Sequence, residues 1–215
     1  MKSILYFKIF LVLIVAVFIQ SCASKTTKEW MNEEAPDHFK ARFETTKGNF
    51  EIEAKKSWSP LAVNRLYQLI QSGFYEDMGI FRVVPGFVIQ FGIANDSILN
   101  SVWEKYPVKD EVVLKKNTRG TIAFARDGVD SRSIQIFINL SDNNSPKLDT
   151  IFYNDVTGFP GIAQVSMGME VVDSFYGEYG DELGYKQDSI YSRGNAFLKA
   201  NYPKIDYIKR AYIID

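Results

Sequence analysis

Eight short runs of strand-forming residues, each closed by a turn signal, constrain this chain more than any other feature. Phe39 to Ala54 reads as a hairpin. Phe43 and Thr45 alternate with polar neighbours, Lys47-Gly48-Asn49 supplies the turn, and Phe50 and Ile52 resume the alternation. Further strand patterns lie at Gly79–Val84, Phe87–Phe91, Gly120–Ala125, Ile134–Asn139, Gly161–Val165 and Asp206–Ile214. There is no internal repeat and no strand–helix–strand rhythm of the kind that builds a parallel sheet. Many short antiparallel strands hide their unpaired edges most simply by closing on themselves. The expected fold is therefore mainly β, a closed eight-stranded antiparallel β-barrel capped by two α-helices. The first helix has Ser59 as its N-cap, Pro60 at its first position and Gly73 just past its end, with Val63, Leu66 and Ile70 forming an apolar stripe. The second is shorter, Met169 to Tyr176. Tyr179 to Asn195 is polar and rich in turn formers, and reads as a surface excursion.

The N-terminus reads as an address. Lys2 and Lys8 flank the start, and Ile9 to Ile19 is a continuous apolar run, too short to span a bilayer and suited to the core of a secretory signal. It ends at Ile19-Gln20-Ser21-Cys22. A small residue before the only cysteine resembles the lipobox of bacterial lipoproteins, in which the cysteine is lipidated and becomes the first residue. Several acyl chains on one residue hold a protein stably at a membrane, at about 0.8 kcal/mol per buried methylene. The expected organisation is a lipoprotein signal peptide over 1–21, a polar tether over 22–37 beginning at lipidated Cys22, and a single domain over 38–215. No aspartate follows the cysteine, which points to the outer membrane facing the periplasm.

Composition excludes several classes of function. The chain has 215 residues, 46% of them apolar and 24% charged, with a net charge of −1, so one soluble domain is expected and no nucleic-acid surface. A single cysteine permits no internal disulfide and no thiolate metal cluster, and a single histidine, His38 in a polar stretch, leaves no multi-histidine metal site. Neither a phosphate-binding glycine loop nor paired carboxylates of catalytic character stand out. No cofactor is expected, and nothing argues against a monomer.

Two blocks remain. Phe81 to Gly92, FRVVPGFVIQFG, sets one fixed cation, Arg82, a few residues before an apolar pair, Phe87 and Val88, and an amide, Gln90. Gly120 to Leu140, GTIAFARDGVDSRSIQIFINL, carries Ala125, Arg126, Gln135 and Phe137. Together, in this order, they resemble the active-site signature of cyclophilins, the peptidyl-prolyl cis/trans isomerases. The resemblance covers roughly Ala41 to Val172. It implies an eight-stranded barrel capped by two helices, with the site on an outer face. It assigns the proline pocket to Phe87, Val88, Phe137 and Leu148, backbone binding to Gln90, and the peptide groove to Ala125 and Arg126. Gln135 matches the glutamine of the family's SQFF run, and Phe159 stands on the pocket rim where the family has histidine. The partners implied are proline-containing polypeptides.

The residues suit that chemistry. An amide bond resists rotation by about 18–20 kcal/mol because the nitrogen lone pair is delocalised. At X-Pro bonds cis and trans are close in energy yet exchange in tens to hundreds of seconds. A catalyst must favour the twisted amide, whose lone pair is free, and a guanidinium aimed at that nitrogen does so because arginine is always a charged donor. Arg82 is the candidate catalytic residue.

Three departures qualify the match. Phe91 replaces a family glycine, and its bulk is expected to narrow the groove. Lys147 stands where the family has an aromatic residue, so weak cyclosporin binding is expected. Thr150 to Phe159 is irregular. Two other readings stay open: a cyclophilin-fold chaperone or adaptor that holds proline peptides with little turnover, and a ligand-binding lipoprotein barrel with a hollow lumen.

Overall fold

The computed structural model describes residues 25–214; the signal segment 1–21 and Cys22 lie outside the described residues. The chain enters through a four-residue helix, α1 (Thr27–Trp30), closed by a capping box in which the Thr26 N–H donates to the Glu29 carboxylate at 2.6 Å. The stretch expected as tether lies on the domain from here onward. Gln68 donates to the carbonyls of Met31 and Glu33, and the Ala35 N–H donates to Asn64.

The first hairpin forms as its alternation requires. In β1 (His38–Thr45) and β2 (Asn49–Lys55), Phe39, Ala41, Phe43, Phe50, Ile52 and Ala54 face inward and are buried, while their neighbours face out. The later strands are β3 (Met78–Gly79), β4 (Arg82–Val84), β5 (Val88–Phe91), β6 (Thr121–Phe124), β7 (Ile136–Asn139), β10 (Gly161–Met167) and β11 (Tyr207–Ile213). They make one nine-stranded antiparallel sheet in the order β3-β11-β1-β2-β10-β6-β7-β5-β4. A separate two-stranded ribbon pairs β8 (Phe152–Tyr153) with β9 (Val156–Thr157).

The closed eight-stranded barrel is thus not what the hydrogen bonds form. The single strand expected at Gly79–Val84 is two short strands, interrupted at Ile80-Phe81, and these are the two ends of the sheet. Two intervening residues span at most about 10 Å. The sheet must therefore curl until its ends nearly meet, joined by the chain rather than by a ladder.

Helix α2 (Pro60–Gln71) turns Ala62, Val63, Leu66, Leu69 and Ile70 into the core and packs against β10 and β11. Ser59 does not cap it as expected: its hydroxyl donates to the Glu111 carboxylate, which itself accepts the N–H groups of Leu61 at 2.8 Å and Ala62 at 3.2 Å. An acid at the positive end of a helix serves the same orphan donors more strongly. The expected second cap is α5 (Met169–Asp173), with Val172 buried. Besides α1, three helices lie where none is expected: α3 (Ser97–Glu104), α4 (Lys147–Thr150) and α6 (Gln187–Asn201).

The last of these replaces most of the expected polar excursion. A 3-10 turn over Glu182–Lys186 leads into α6, and Leu183, Ile190, Phe197 and Leu198 form a second, smaller core with Phe81, Ile93 and Ile205. Leu183 lies on the 3-10 turn, and Gly194, with φ 52° and ψ −142°, breaks the helical backbone between Ile190 and Phe197, so no continuous 3.6-residue apolar stripe runs through these residues to mark a helix. An isolated bridge between Val83 and Gly180 ties this segment to β4.

Candidate active site

Strand register builds the site. Arg82 on β4 lies opposite Gln90 on β5, Gln90 opposite Phe137 on β7, and Phe137 opposite Ala123 on β6. Residues directly opposed across antiparallel strands share a face, and this row points outward. The row one residue along (Val83, Ile89, Ile138, Ile122) points into the main core. Val88, Ala123, Phe137 and Leu148 consequently form a separate apolar cluster on the outer face, with Phe87, Ala125 and Phe159 against it.

The link between β4 and β5 is a tight turn. Pro85 and Gly86 are its central residues, Gly86 has φ 74°, and the Phe87 N–H donates to the Val84 carbonyl at 2.9 Å. Proline followed by a positive-φ glycine is the type II signature. Gly92, just after β5, is needed for another reason. A Cβ there would sit 2.5 Å from the Cα of Gln135.

The resulting pocket has a volume of about 180 Å³ and is lined by Arg82, Phe87, Val88, Gln90, Ala125, Arg126, Phe137, Leu148 and Phe159. That is the scale of the roughly 150 Å³ apolar cavity that accommodates benzene, and hence of one small ring. Phe137 and Phe159 meet edge to face at 5.6 Å between centroids, and the Arg82 guanidinium lies 5.7 Å from the Phe87 ring centre. Arg126 stacks on Phe159 at 4.6 Å and donates to the Gly158 carbonyl, holding the β9 side of the rim.

Nine of the ten expected binding and catalytic residues therefore meet in one cavity. The tenth, Gln135, stands behind it. Gln90 Nε2 donates to Gln135 Oε1 at 2.8 Å, and Gln135 lines an adjoining polar groove of about 470 Å³ that shares Gln90, Ala125 and Arg126 with the pocket. Phe91 does not narrow the groove. It pairs with Ile136 in the inward row, is fully buried and packs against Phe43 and Tyr75. Strand alternation sends it to the opposite face from Gln90. Lys147 is exposed beside the pocket, its ammonium 5.9 Å from the Phe87 ring centre.

Several residues in or behind the site had no signal in the sequence. Arg82 Nε donates to Asp181 at 2.6 Å and its Nη1 to Gln90 at 2.9 Å. Gln135 Nε2 donates to Gln187 at 2.8 Å and to the Tyr191 hydroxyl at 3.0 Å, and that hydroxyl donates to Glu104. Burial first, then the bond to Glu104, pushes the Tyr191 hydroxyl up from its ordinary pKa, so it stays protonated. Under the apolar side, buried Asn139 donates to Asn117 at 3.0 Å and accepts from Asn144 at 2.8 Å; Asn144 also donates to the Phe87 carbonyl. Asp149 accepts from Asn117 and Ser145, holding Leu148 in place.

The fold and site thus define a mainly-β protein with a ring-sized apolar pocket on the outside of a curled sheet, flanked by two guanidinium groups, Arg82 and Arg126, and one amide, Gln90. Residues 40–191 match the family described as cyclophilin type peptidyl-prolyl cis-trans isomerase/CLD. The chain is 33% identical over 134 residues to a peptidyl-prolyl cis-trans isomerase of Acinetobacter baylyi, covering 60% of this chain and 67% of that one. It is 32% identical over 152 residues to peptidyl-prolyl cis-trans isomerase B of Escherichia coli, covering 68% of this chain and 89% of that one. A crystal structure of a Cryptosporidium parvum cyclophilin type isomerase superposes with a TM-score of 0.56 at 18% identity, over 83% of this chain and 98% of that one. The chain belongs to the cyclophilin-type peptidyl-prolyl cis-trans isomerase family. Prolyl peptide-bond isomerisation is the enzymatic activity this membership indicates.

Proposed function

We propose that Arg82 is the catalytic group and that the protein isomerises prolyl bonds in flexible chains of the bacterial envelope. The observation that carries this reading is a guanidinium at the edge of a ring-sized apolar pocket. Phe87, Val88, Phe137, Leu148 and Phe159 hold the proline ring. Gln90 binds the backbone before the proline, and Ala125 and Arg126 line the groove along which that part of the peptide runs. Gln135 acts through Gln90.

As the amide twists, its nitrogen becomes pyramidal and accepts a hydrogen bond from Arg82. One charge-assisted bond contributes about 1.5–3 kcal/mol. A hundred-thousand-fold acceleration needs about 7 kcal/mol. The remainder comes from desolvation, which disfavours the more polar planar amide, and from fixing the ring. Arg82→Ala is expected to lower kcat/KM about 10- to 100-fold in a proline-tetrapeptide isomerisation assay, with the melting temperature retained. Undiminished activity would remove Arg82 from its role.

The rival reading, a peptide holder with little turnover, is motivated by Phe91 and Lys147. Phe91 faces the core, so only Lys147 still supports it. A hollow ligand barrel fits poorly with an interior filled by Phe43, Phe50, Ile52, Phe91 and Ile138.

The cellular setting rests on the sequence pattern around Cys22. The reading is a lipid anchor at that residue, in the outer membrane facing the periplasm, with secreted and envelope proteins as substrates. Cys22→Ser in a bacterial host is expected to move the protein from the membrane fraction to the soluble periplasmic fraction. Unchanged membrane association would refute the anchor.

A further inference from the structure

The polar side of the site continues beyond the residues that face the pocket. Arg82 Nη1 donates to Gln90 Oε1 at 2.9 Å, and Gln90 Nε2 donates to Gln135 Oε1 at 2.8 Å. Gln135 Nε2 donates to the Tyr191 hydroxyl at 3.0 Å, and that hydroxyl donates to Glu104 Oε1 at 2.5 Å. Every donor points the same way, from a guanidinium to a carboxylate.

Neither end of this chain can be reversed. A guanidinium has only N–H donors, and an ionised carboxylate has only acceptors. The sense of each group between them is therefore imposed. Because the Tyr191 hydroxyl spends its proton on Glu104, it offers a lone pair to Gln135, whose Nε2 is shared with Gln187 Oε1 at 2.8 Å. Gln135 must then turn its carbonyl oxygen to Gln90, and Gln90 must turn its own to Arg82. A flipped Gln90 would set an NH₂ against N–H groups. Bonds in such a series also polarise one another.

We propose that Tyr191, oriented by Glu104, is a positioning residue for isomerisation: it fixes the sense of the Gln135 and Gln90 amides and so the aim of the Arg82 guanidinium. This rests on the assignment of Arg82 as catalytic group. Asp181 supplies a second fixed point, accepting from Arg82 Nε at 2.6 Å. Among the described residues Arg82 Nη2 has no hydrogen-bond partner, so one edge of the guanidinium remains for a substrate. The anchor residues sit far from Arg82 in sequence. Glu104 ends α3, and Tyr191 lies on α6, which packs against α3. The C-terminal segment is thereby part of the working site and not only its support.

The test is steady-state isomerisation of a proline tetrapeptide by the full domain, with kcat and KM resolved. Tyr191→Phe is expected to lower kcat about tenfold, the scale of one hydrogen bond, with KM changed less than about twofold and the melting temperature unchanged. Glu104→Ala is expected to match it, while Glu104→Gln, whose amide oxygen still accepts from the hydroxyl, recovers most of the activity. In an Arg82→Ala background Tyr191→Phe is expected to cause no further loss, because its effect passes through Arg82. Wild-type kcat in Tyr191→Phe, with activity lost in Arg82→Ala, overturns this proposal alone. Undiminished kcat in Arg82→Ala overturns the assignment it rests on. Should Tyr191→Phe not fold, Glu104→Ala decides the matter in its place, and wild-type kcat there is the overturning result.

Discussion

The two sides of the pocket are held by different parts of the chain and by different physics. The apolar side, Phe87, Val88, Phe137 and Leu148, lies over a buried asparagine network, Asn117, Asn139 and Asn144, whose members sit in or next to the strands and loops that carry the rings. The polar side, Arg82, Gln90 and Gln135, is held from outside the sheet by Asp181, Gln187 and Tyr191, about a hundred positions downstream of Arg82. The first side is a stability problem, because its polar supports are sealed from water and each must be satisfied. The second is an orientation problem, because its groups are partly wet and what matters is which way each one points.

The larger of two further effects tests that division on the apolar side. Asn139 is fully buried and makes three hydrogen bonds, to Asn117, to the Thr121 carbonyl and from Asn144. Asn139→Ala orphans those partners, at about 1–3 kcal/mol for each buried group left unpaired. Denaturant unfolding is expected to show a loss of about 3 kcal/mol in total, with KM raised and kcat of the folded fraction little changed. This is the reverse of the pattern for Tyr191→Phe. Wild-type stability in Asn139→Ala, or a fall in kcat without a fall in stability, would break the comparison.

The same division decides what was readable beforehand. The rings and the guanidinium sit in two contiguous blocks, and period-two alternation already places Arg82, Gln90 and Phe137 on one face once the strands are paired. The expectation that Phe91 narrows the groove follows from its bulk at a family glycine position and leaves out its parity in the strand, which turns it to the core. The break at Ile80-Phe81, which leaves the sheet curled but unclosed, has no local sequence mark. The outer supports were invisible for a further reason. Asp181, Gln187 and Tyr191 belong to a segment whose apolar contacts, Leu183, Ile190 and Phe197, recur too sparsely to declare a helix. Their polar side chains are the kind that ordinarily faces solvent. Only tertiary packing, through the Val83–Gly180 bridge and the second small core, brings them to Arg82.

The smaller effect uses pH. Burial alone would raise the Asp149 pKa, but the Ser145 hydroxyl and the amide and N–H of Asn117 donate to its carboxylate and bring it below the ordinary value. A carboxyl whose folded pKa is depressed stabilises the fold above its unfolded pKa, near 3.9, and loses that contribution as pH falls through the folded pKa. Asp149→Asn removes the charge and so the dependence. At pH 7 the variant is expected to be less stable by about 1.5 kcal/mol, the lower end of the range for a hydrogen bond to a charged group. As pH falls below about 4, the gap between variant and wild type is expected to close, because the wild-type carboxyl is itself being neutralised. Comparing the two proteins at each pH cancels the titration of every other acid. Since Asp149 holds Leu148 and touches neither Arg82 nor Gln90, Asp149→Asn at pH 7 is expected to raise KM while leaving kcat little changed. A gap that stays constant with pH would show that the Asp149 charge contributes nothing. A fall in kcat in Asp149→Asn without a rise in KM would show that the two sides of the pocket are mechanically coupled through the loop.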